Sequence, residues 1–303
     1  MKDTILELNN LTKTFILGNQ KNARKAQKAL QKLEARYERD STGGDKQQIE
    51  AERERLQKSQ QLFASEAFEA SYYAATGKHL RPRPKDRGVA VHALNNVALK
   101  IYRGDLVAIM GPSGSGKSTL LNMLGLLDSP TTGDIHIKDQ NVTSIRRREL
   151  PAIRSKELGF VFQSFNLVTT LTALENVMLP LRYARVPLRK RRAMATKALT
   201  QVGLGNRLNH KPNELSGGQQ QRVAIARSIV NNPTIVFGDE LTGELDSKMT
   251  TEVMDLVQKL NEAGQTFVIV THNPEVAKRC KRVIYMKDGK VDKEATNTTL
   301  ISS

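Results

Sequence analysis

Short apolar runs recur through the chain, each ending in a polar or glycine-bearing turn. LVAIM (106–110), GFVFQ (159–163), TIVFG (234–238) and TFVIV (266–270) are continuous rather than alternating, the pattern of strands buried on both faces. TILELNNLTKTF near the N-terminus and Asp134 to Ile137 add further strands. Between them the spacing turns helical: TLLNMLGLL (119–127), residues 172–183 and 189–202, and QQQRVAIARSIV (219–230). In the last, Val223, Ile225, Ala226, Ile229 and Val230 fall on one broad side. Strands alternating with helices predict an α/β domain behind a β-rich N-terminal layer.

One stretch breaks the pattern. Residues 19–40 are rich in Ala, Lys, Gln, Glu and Arg, and two seven-residue series interleave, Ala23, Leu30, Tyr37 with Ala26, Leu33. That spacing is an a/d seam. After the helix-breaking STGGD (41–45), Ile49, Leu56, Phe63 and Ala70 repeat every seven residues, and the prolines of HLRPRPKDRG end the pattern. Residues 18–87 therefore read as an inserted helical hairpin or a charged linker.

The chemistry is densest where the apolar runs end. LVAIM leads into GPSGSGKST (111–119), a full match to the phosphate-binding loop G-x-x-x-x-G-K-[ST]. Gly111, Gly114 and Gly116 let the backbone curl close to phosphate, with Pro112, Ser113 and Ser115 between them. Lys117, Ser118 and Thr119 open a helix whose dipole faces the anion, the lysine beside the phosphates and the Ser118 hydroxyl on Mg²⁺. A hundred residues later LSGGQ (215–219) places Ser216, Gly217, Gly218 and Gln219 at the start of another helix, a second anion-binding end. TIVFG delivers Asp239 and Glu240. The first suits water-mediated binding of Mg²⁺, and the second suits the general base that activates water attacking a γ-phosphate. His272, after TFVIV, is placed to hold that base and the water in register. Gln163 offers an amide oxygen to Mg²⁺ and the lytic water.

These motifs, with ELD (244–246) and VIVTHN (268–273), stand in an order that resembles the nucleotide-binding subunit of ATP-binding cassette (ABC) transporters over residues 1–17 and about 88–295. Stretches such as MGPSGSGKSTLLNMLGLLDSPTTG and LTALENVMLPL most resemble the subfamily of lipoprotein releasers, macrolide and antimicrobial-peptide exporters and the cell-division cassette. The resemblance implies a RecA-like P-loop ATPase of residues 1–17 plus 88–303, with a helical subdomain near 163–230 that receives a membrane permease. It implies ATP and Mg²⁺ as cofactors. It also implies a head-to-tail dimer, homomeric or with a similar cassette, in which Ser216 to Gln219 of one subunit face the γ-phosphate held by the other. Phe15 stands where the family stacks a tyrosine on adenine. Leu241, Glu244 and Asn273 stand where proline, asparagine and aspartate are common. A mechanical or regulatory cassette acting through a membrane protein shares every one of these motifs. A soluble translation or repair ATPase fits less well, because the insertion precedes the phosphate loop and there is one cassette.

Composition narrows the setting. The 303 residues include 47 Lys and Arg against 31 Asp and Glu, a net charge of +16, and a single cysteine, Cys280. No apolar run reaches the roughly 18 to 20 residues of a membrane span, and MKDTILELNN shows no basic region followed by an apolar core. Membrane work thus calls for a partner, and the expected location is peripheral, on the cytoplasmic face of the cell membrane. The densest basic runs, RRRELPAIRSK (146–156) and PLRKRRAMATK (187–197), read as solvated helix faces, as contacts to an anionic leaflet, or least readily as nucleic-acid contacts, since they lack interleaved aromatics.

Overall fold

The structure, a computed structural model, describes residues 3–17 and 89–296, so the expected hairpin of residues 18–87 lies outside the described residues. The chain divides into two compact units, Met1–Lys13 with Ala93–Ser303, and Thr14–His92. In the second unit the described residues are strand ends, where Thr14 Oγ1 and His92 Nδ1 lie 2.9 Å apart.

The strands form two sheets. β1 (Thr4–Leu17), β2 (Val89–Tyr102), β4 (Thr132–Ile137) and β5 (Gln140–Asn141) make a four-stranded layer in the order β2-β1-β4-β5, with β1 antiparallel to β4. The other sheet carries β3 (Leu106–Met110), β6 (Leu158–Val161), β7 (Ile235–Asp239), β8 (Thr266–Val270), β9 (Arg282–Lys287) and β10 (Lys290–Thr296). Its order is β10-β9-β3-β8-β7-β6, parallel from β9 to β6, with β10 antiparallel at the edge.

Two cores explain the continuous apolar runs. Side chains alternate along a strand, and here both faces are covered. Val107 and Ile109 of β3, Ile235 and Phe237 of β7, and Val268 and Val270 of β8 join a core with Ile5, Leu6, Leu8 and α1 (Lys117–Leu124). Leu106, Ala108, Val236, Phe267 and Ile269 face the other way, onto helices. Those helices are α3 (Ala173–Tyr183), α4 (Leu188–Gln201), α5 (Gly217–Ile229), α6 (Ser247–Glu262) and α7 (Pro274–Lys278). The basic run 146–156 contains the start of α2 (Leu150–Glu157), which buries none of its side chains.

The helical segment between Gln163 and the LSGGQ helix is stapled locally. Thr172 and Glu175 form a reciprocal capping box at the start of α3. Asn176, fully buried, accepts from Val168 N–H and donates to the carbonyls of Val168, Leu171 and Thr172. A buried amide so satisfied fixes the turn that enters the helices.

The approach of α5 to the sheet rests on a missing side chain. A Cβ at Gly159 of β6 would lie 2.4 Å from Ser228 O and 3.2 Å from the Val236 side chain. Gly159→Ala is expected to force α5 off β6 at a cost of about 1–3 kcal/mol, read as a lowered melting temperature of the purified chain; an unchanged melt refutes this close packing.

Candidate active site

Parallel pairing puts the carboxyl ends of β3, β8, β7 and β6 on one edge of the sheet, the edge where open α/β sheets bind ligands. Ile109 pairs with Val270, and Val270 with Asp239. The chain leaves β3 as the phosphate loop, β8 as Thr271 and His272, β7 as Glu240, and β6 as Phe162 and Gln163. GFVFQ thus ends as strand at Val161, and Gln163 sits in the following turn.

The loop is shaped by its glycines. Gly111, Gly114 and Gly116 have φ of 156°, 78° and 97°. A Cβ at Gly116 would meet Ala93 O at 2.4 Å, and one at Gly111 would meet Met286 O at 2.3 Å. Only glycine serves at either position. Ser115 N–H donates to Pro112 O and Ser115 O accepts from Gly289, which fixes the curl, while the buried Ser115 Oγ has no protein partner. Pro112, Ser113 and Ser118 are exposed; Thr119 is half-buried on the first turn of α1. Lys117 Nζ donates to the carbonyls of Gly111 and Pro112, both at 2.8 Å, so the ammonium is folded back over its own loop.

Three polar side chains, Asp239, Glu240 and His272, gather at the ends of β7 and β8. His272 Nδ1 lies 2.6 Å from Glu240 Oε1, a contact in which the imidazole N–H donates to the carboxylate. Glu240 holds a left-handed backbone, φ 48°, and its N–H donates to Val270 O at 2.9 Å. That turn carries the carboxylate from the end of β7 to the histidine at the end of β8. Burial raises the Asp239 carboxyl above its ordinary value, repulsion from Glu240 adds to the rise, and the Lys117 ammonium opposes it. Gln163, Glu240 and His272 line one end of a cavity of about 490 Å³ that continues past Thr242, Gly243 and Asn273.

Ser216 to Gln219 are not among the residues that line that cavity. Ser216 caps α5: its Oγ accepts from Gln219 N–H at 3.4 Å, and Gln219 Oε1 accepts from Ser216 N–H at 3.1 Å. A capping hydroxyl keeps its own proton to donate, and Gly217 and Gly218 supply the open N–H groups of the helix start. Phe15 lies toward the end of β1, in the second unit, and is exposed.

Several positioning contacts are absent from the motif reading. Arg227 of α5, largely desolvated, donates to Phe165 O at 2.8 Å and Asn166 O at 2.5 Å, holding two residues of φ 56° and 49° in the turn after Gln163. Buried Gln221 donates to Leu241 O at 2.6 Å, directly after Glu240. Ser164 Oγ donates to Glu244 Oε1 at 2.9 Å. The ARS and QQQ runs of 219–228 were the only sequence signal for the first two, and nothing in the sequence marks the third.

The donor set fits a nucleotide with a hard cation. A hydroxyl, an amide oxygen and one carboxylate, from Ser118, Gln163 and Asp239, suit Mg²⁺, which uses few protein ligands. Among the described residues no cluster of three His, Cys, Asp or Glu stands ready for a different metal. The glycine-shaped loop, the lysine above it and the paired Glu240 and His272 define the class: a P-loop nucleotide-hydrolysing domain.

Comparison with known proteins gives the family. The profile described as ABC transporter matches residues 94–243. A Thermotoga maritima "Uncharacterized ABC transporter ATP-binding protein" is 50% identical over 204 residues, 67% of this chain and 87% of that protein. The macrolide export ATP-binding/permease protein MacB of Bdellovibrio bacteriovorus is 49% identical over 204 residues, 67% of this chain but 31% of that larger protein. Among solved structures, the ATP-binding cassette MJ0796 in a dimeric post-hydrolysis state bound to ADP and Pi superposes with a TM-score of 0.67 at 37% identity, covering 97% of this chain and 99% of that one. The same cassette, from Methanocaldococcus jannaschii, is 52% identical over 209 residues, 67% of this chain and 89% of its own. The chain belongs to the ABC transporter ATP-binding family. It is an ATP-binding and ATP-hydrolysing cassette with the P-loop fold.

Two outcomes follow from this geometry. Because the folded state holds a proton on Asp239 more tightly than the unfolded chain does, its ionised form is a cost: stability rises as pH falls through the raised pKa and is lowest above it. Asp239→Asn is expected to raise the nucleotide-free melting temperature at neutral pH by a few degrees, with the gap closing in acid, and to lose most of the stabilisation that Mg²⁺ with ATP gives the parent. A melt no higher than the parent's at neutral pH contradicts it. Glu244→Asn breaks the acceptor for Ser164 and is expected to change steady-state turnover two- to tenfold while nucleotide affinity stays within about twofold, the effect of one exposed hydrogen bond of roughly 1 kcal/mol; equal turnover dismisses the link.

Proposed function

We propose that this cassette powers a separate membrane permease, with export as the direction, and that two copies close on two ATP molecules. The observation that carries the reading is the meeting of Lys117, Asp239, Glu240 and His272 on one sheet edge, while Ser216 to Gln219 begin a helix outside the cavity lined by Glu240 and His272. An anion-binding helix end so placed is available to a second subunit. In support, MJ0796 is dimeric with ADP and Pi, and a 28% identical neighbour at TM-score 0.65, cbiO1 from Clostridium perfringens, is part of the ABC transporter complex cbiONQ. The relative MacB is named a macrolide export ATP-binding/permease protein. Among the described residues no helix is long and apolar enough to cross a membrane. Location at the cytoplasmic face of the membrane follows from the partnership with a permease.

In this reading residues 1–17 and 88–303 form the cassette, with residues 18–87 inserted. Lys117 and the backbone N–H groups of the glycine-shaped loop hold the phosphates. Ser118, Gln163 and Asp239 would hold Mg²⁺, which would supply neutralisation of phosphate charge. Glu240 takes the proton of the attacking water. His272 orients Glu240 through the 2.6 Å contact, and the second subunit's copy of Ser216 donates to the γ-phosphate.

Glu240→Gln is expected to reduce ATP turnover at least a hundredfold and to accumulate an ATP-bound dimer, read by size-exclusion chromatography with light scattering. Tagged in native membranes, the same variant should retain a polytopic membrane protein on purification. Turnover near that of the parent removes Glu240 from the base role, and recovery of ribosomal proteins or nucleic acid without a membrane protein overturns the permease reading.

A further inference from the structure

Residues 176–213 carry nine Lys and Arg side chains and not one Asp or Glu. In a chain with 31 acidic residues this is a long stretch of one sign, and the fold turns it into a surface. α3 and α4 form a helical pair whose inner sides are apolar: Leu181, Ala195, Ala198 and Leu199 are buried. The last turn of α3, the connection after it and the outer side of α4 display Arg182, Arg185, Arg189, Lys190, Arg192 and Lys197, all exposed. None of the six pairs with a carboxylate among the described residues. The acids that bracket the stretch are engaged elsewhere, Glu175 in the cap with Thr172 and Glu214 with Lys211 N–H.

Among these cations stand large apolar side chains that the fold leaves in water. Tyr183 is 78% exposed, Leu188 63% and Met194 38%. A solvated helix mixes charges of both signs and keeps such side chains few. A basic helix end carrying an exposed tyrosine and aliphatic side chains has what an interfacial lipid contact requires: cations for anionic headgroups, apolar groups for the acyl boundary. Nucleic acid would take the cations but leave Leu188 and Met194 without a role, and the surface offers one aromatic side chain rather than a stacking series.

We propose that the α3–α4 tip, Arg182 to Lys197, docks on an anionic lipid surface, with Arg189, Lys190 and Lys197 against headgroups and Tyr183 and Leu188 at the acyl boundary. The proposal rests on the membrane-associated reading above and adds a direct lipid contact that needs no permease. Such a contact would hold the cassette at the membrane between encounters with its partner.

The test uses the purified full chain with vesicles of phosphatidylcholine alone and of equal parts phosphatidylcholine and phosphatidylglycerol, separated by flotation. The parent should partition to the anionic vesicles only. Arg189→Gln, Lys190→Gln and Lys197→Gln together should weaken that partition about a hundredfold, with ATP hydrolysis retained as evidence of folding. Arg146→Gln, Arg147→Gln and Arg148→Gln together remove the same charge elsewhere and should leave partition within about twofold. The chain has no tryptophan, so Tyr183→Trp adds a single fluorophore, whose emission should shift to the blue on anionic vesicles.

Equal loss in both triple variants, no loss in either, or an unshifted emission overturns the proposal. Duplex DNA binding that depends on the α4 cations while vesicle partition does not would assign the surface to nucleic acid instead. Vesicle partition is read with no permease present, so its failure leaves the permease reading standing, and a permease recovered with the α4 variant does not rescue the lipid contact.

Discussion

Parallel register across β3, β8 and β7 is the constraint on which this molecule depends. Ile109, Val270 and Asp239 lie in one row of the sheet, so the residues that follow them are delivered to one place whatever the loops do next. The phosphate loop, the histidine and the two carboxylates arrive from sequence positions as far apart as 111 and 272 without any of them needing a contact to find the others. Charge then determines the local arrangement. Asp239 and Glu240 are adjacent acids, one of them half-buried and resisting ionisation. They coexist because the left-handed turn at Glu240 points its carboxylate toward His272, while Lys117 offsets the charge of Asp239.

A second constraint ties the anion-binding helix to this edge. α5 begins with the LSGGQ glycines, and its body is buried almost all round, with Val223, Ala224, Ile225 and Ala226 fully covered. From that position it reaches the turn after Gln163 through Arg227 and the turn after Glu240 through Gln221. Hydrogen bonds from a desolvated guanidinium to carbonyls are worth roughly 1.5–3 kcal/mol each, so Arg227 ties α5 firmly to the turn after Gln163.

The sequence carries the strands and the reacting groups plainly, because both are local. Burial on two faces requires continuous apolar runs, and phosphate binding requires glycines at fixed spacing, so β3, β7, β8 and residues 111–119 can be read without knowing what surrounds them. α6 is missing from that reading although its Val253, Val257 and Leu260 have helical spacing, because no chemistry marks it. Arg227, Gln221, Asn176 and the Ser164–Glu244 bond are different. Except for Asn176, their partners lie 20 to 80 residues away, and a backbone carbonyl as partner leaves no trace in residue type. The end of β6 is obscured for a related reason: Phe162 extends the apolar run, but the pairing with β7 stops at Val161 and the chain turns before Gln163.

The departures from the family pattern are each absorbed by a different local device. Leu241, where proline is common, is buried and packs over Gly238, whose missing Cβ would otherwise lie 2.6 Å from the leucine. Its carbonyl is held by Gln221, so the rigidity a proline ring supplies through φ is supplied here by packing and one buried hydrogen bond. Asn273, where aspartate is common, caps α7 by accepting from Glu275 N–H, a role both residues fill equally. Glu244 differs from these, because its carboxylate bonds a residue adjacent to Gln163 rather than its own turn. The first two preserve the geometry of the edge by substitution of one constraint for another. The third adds a constraint, and adds it between the two segments, after β6 and after β7, whose relative position sets where water meets the γ-phosphate in the proposed mechanism. Among the departures placed within the cassette, it is the one positioned to change rate rather than merely to maintain shape.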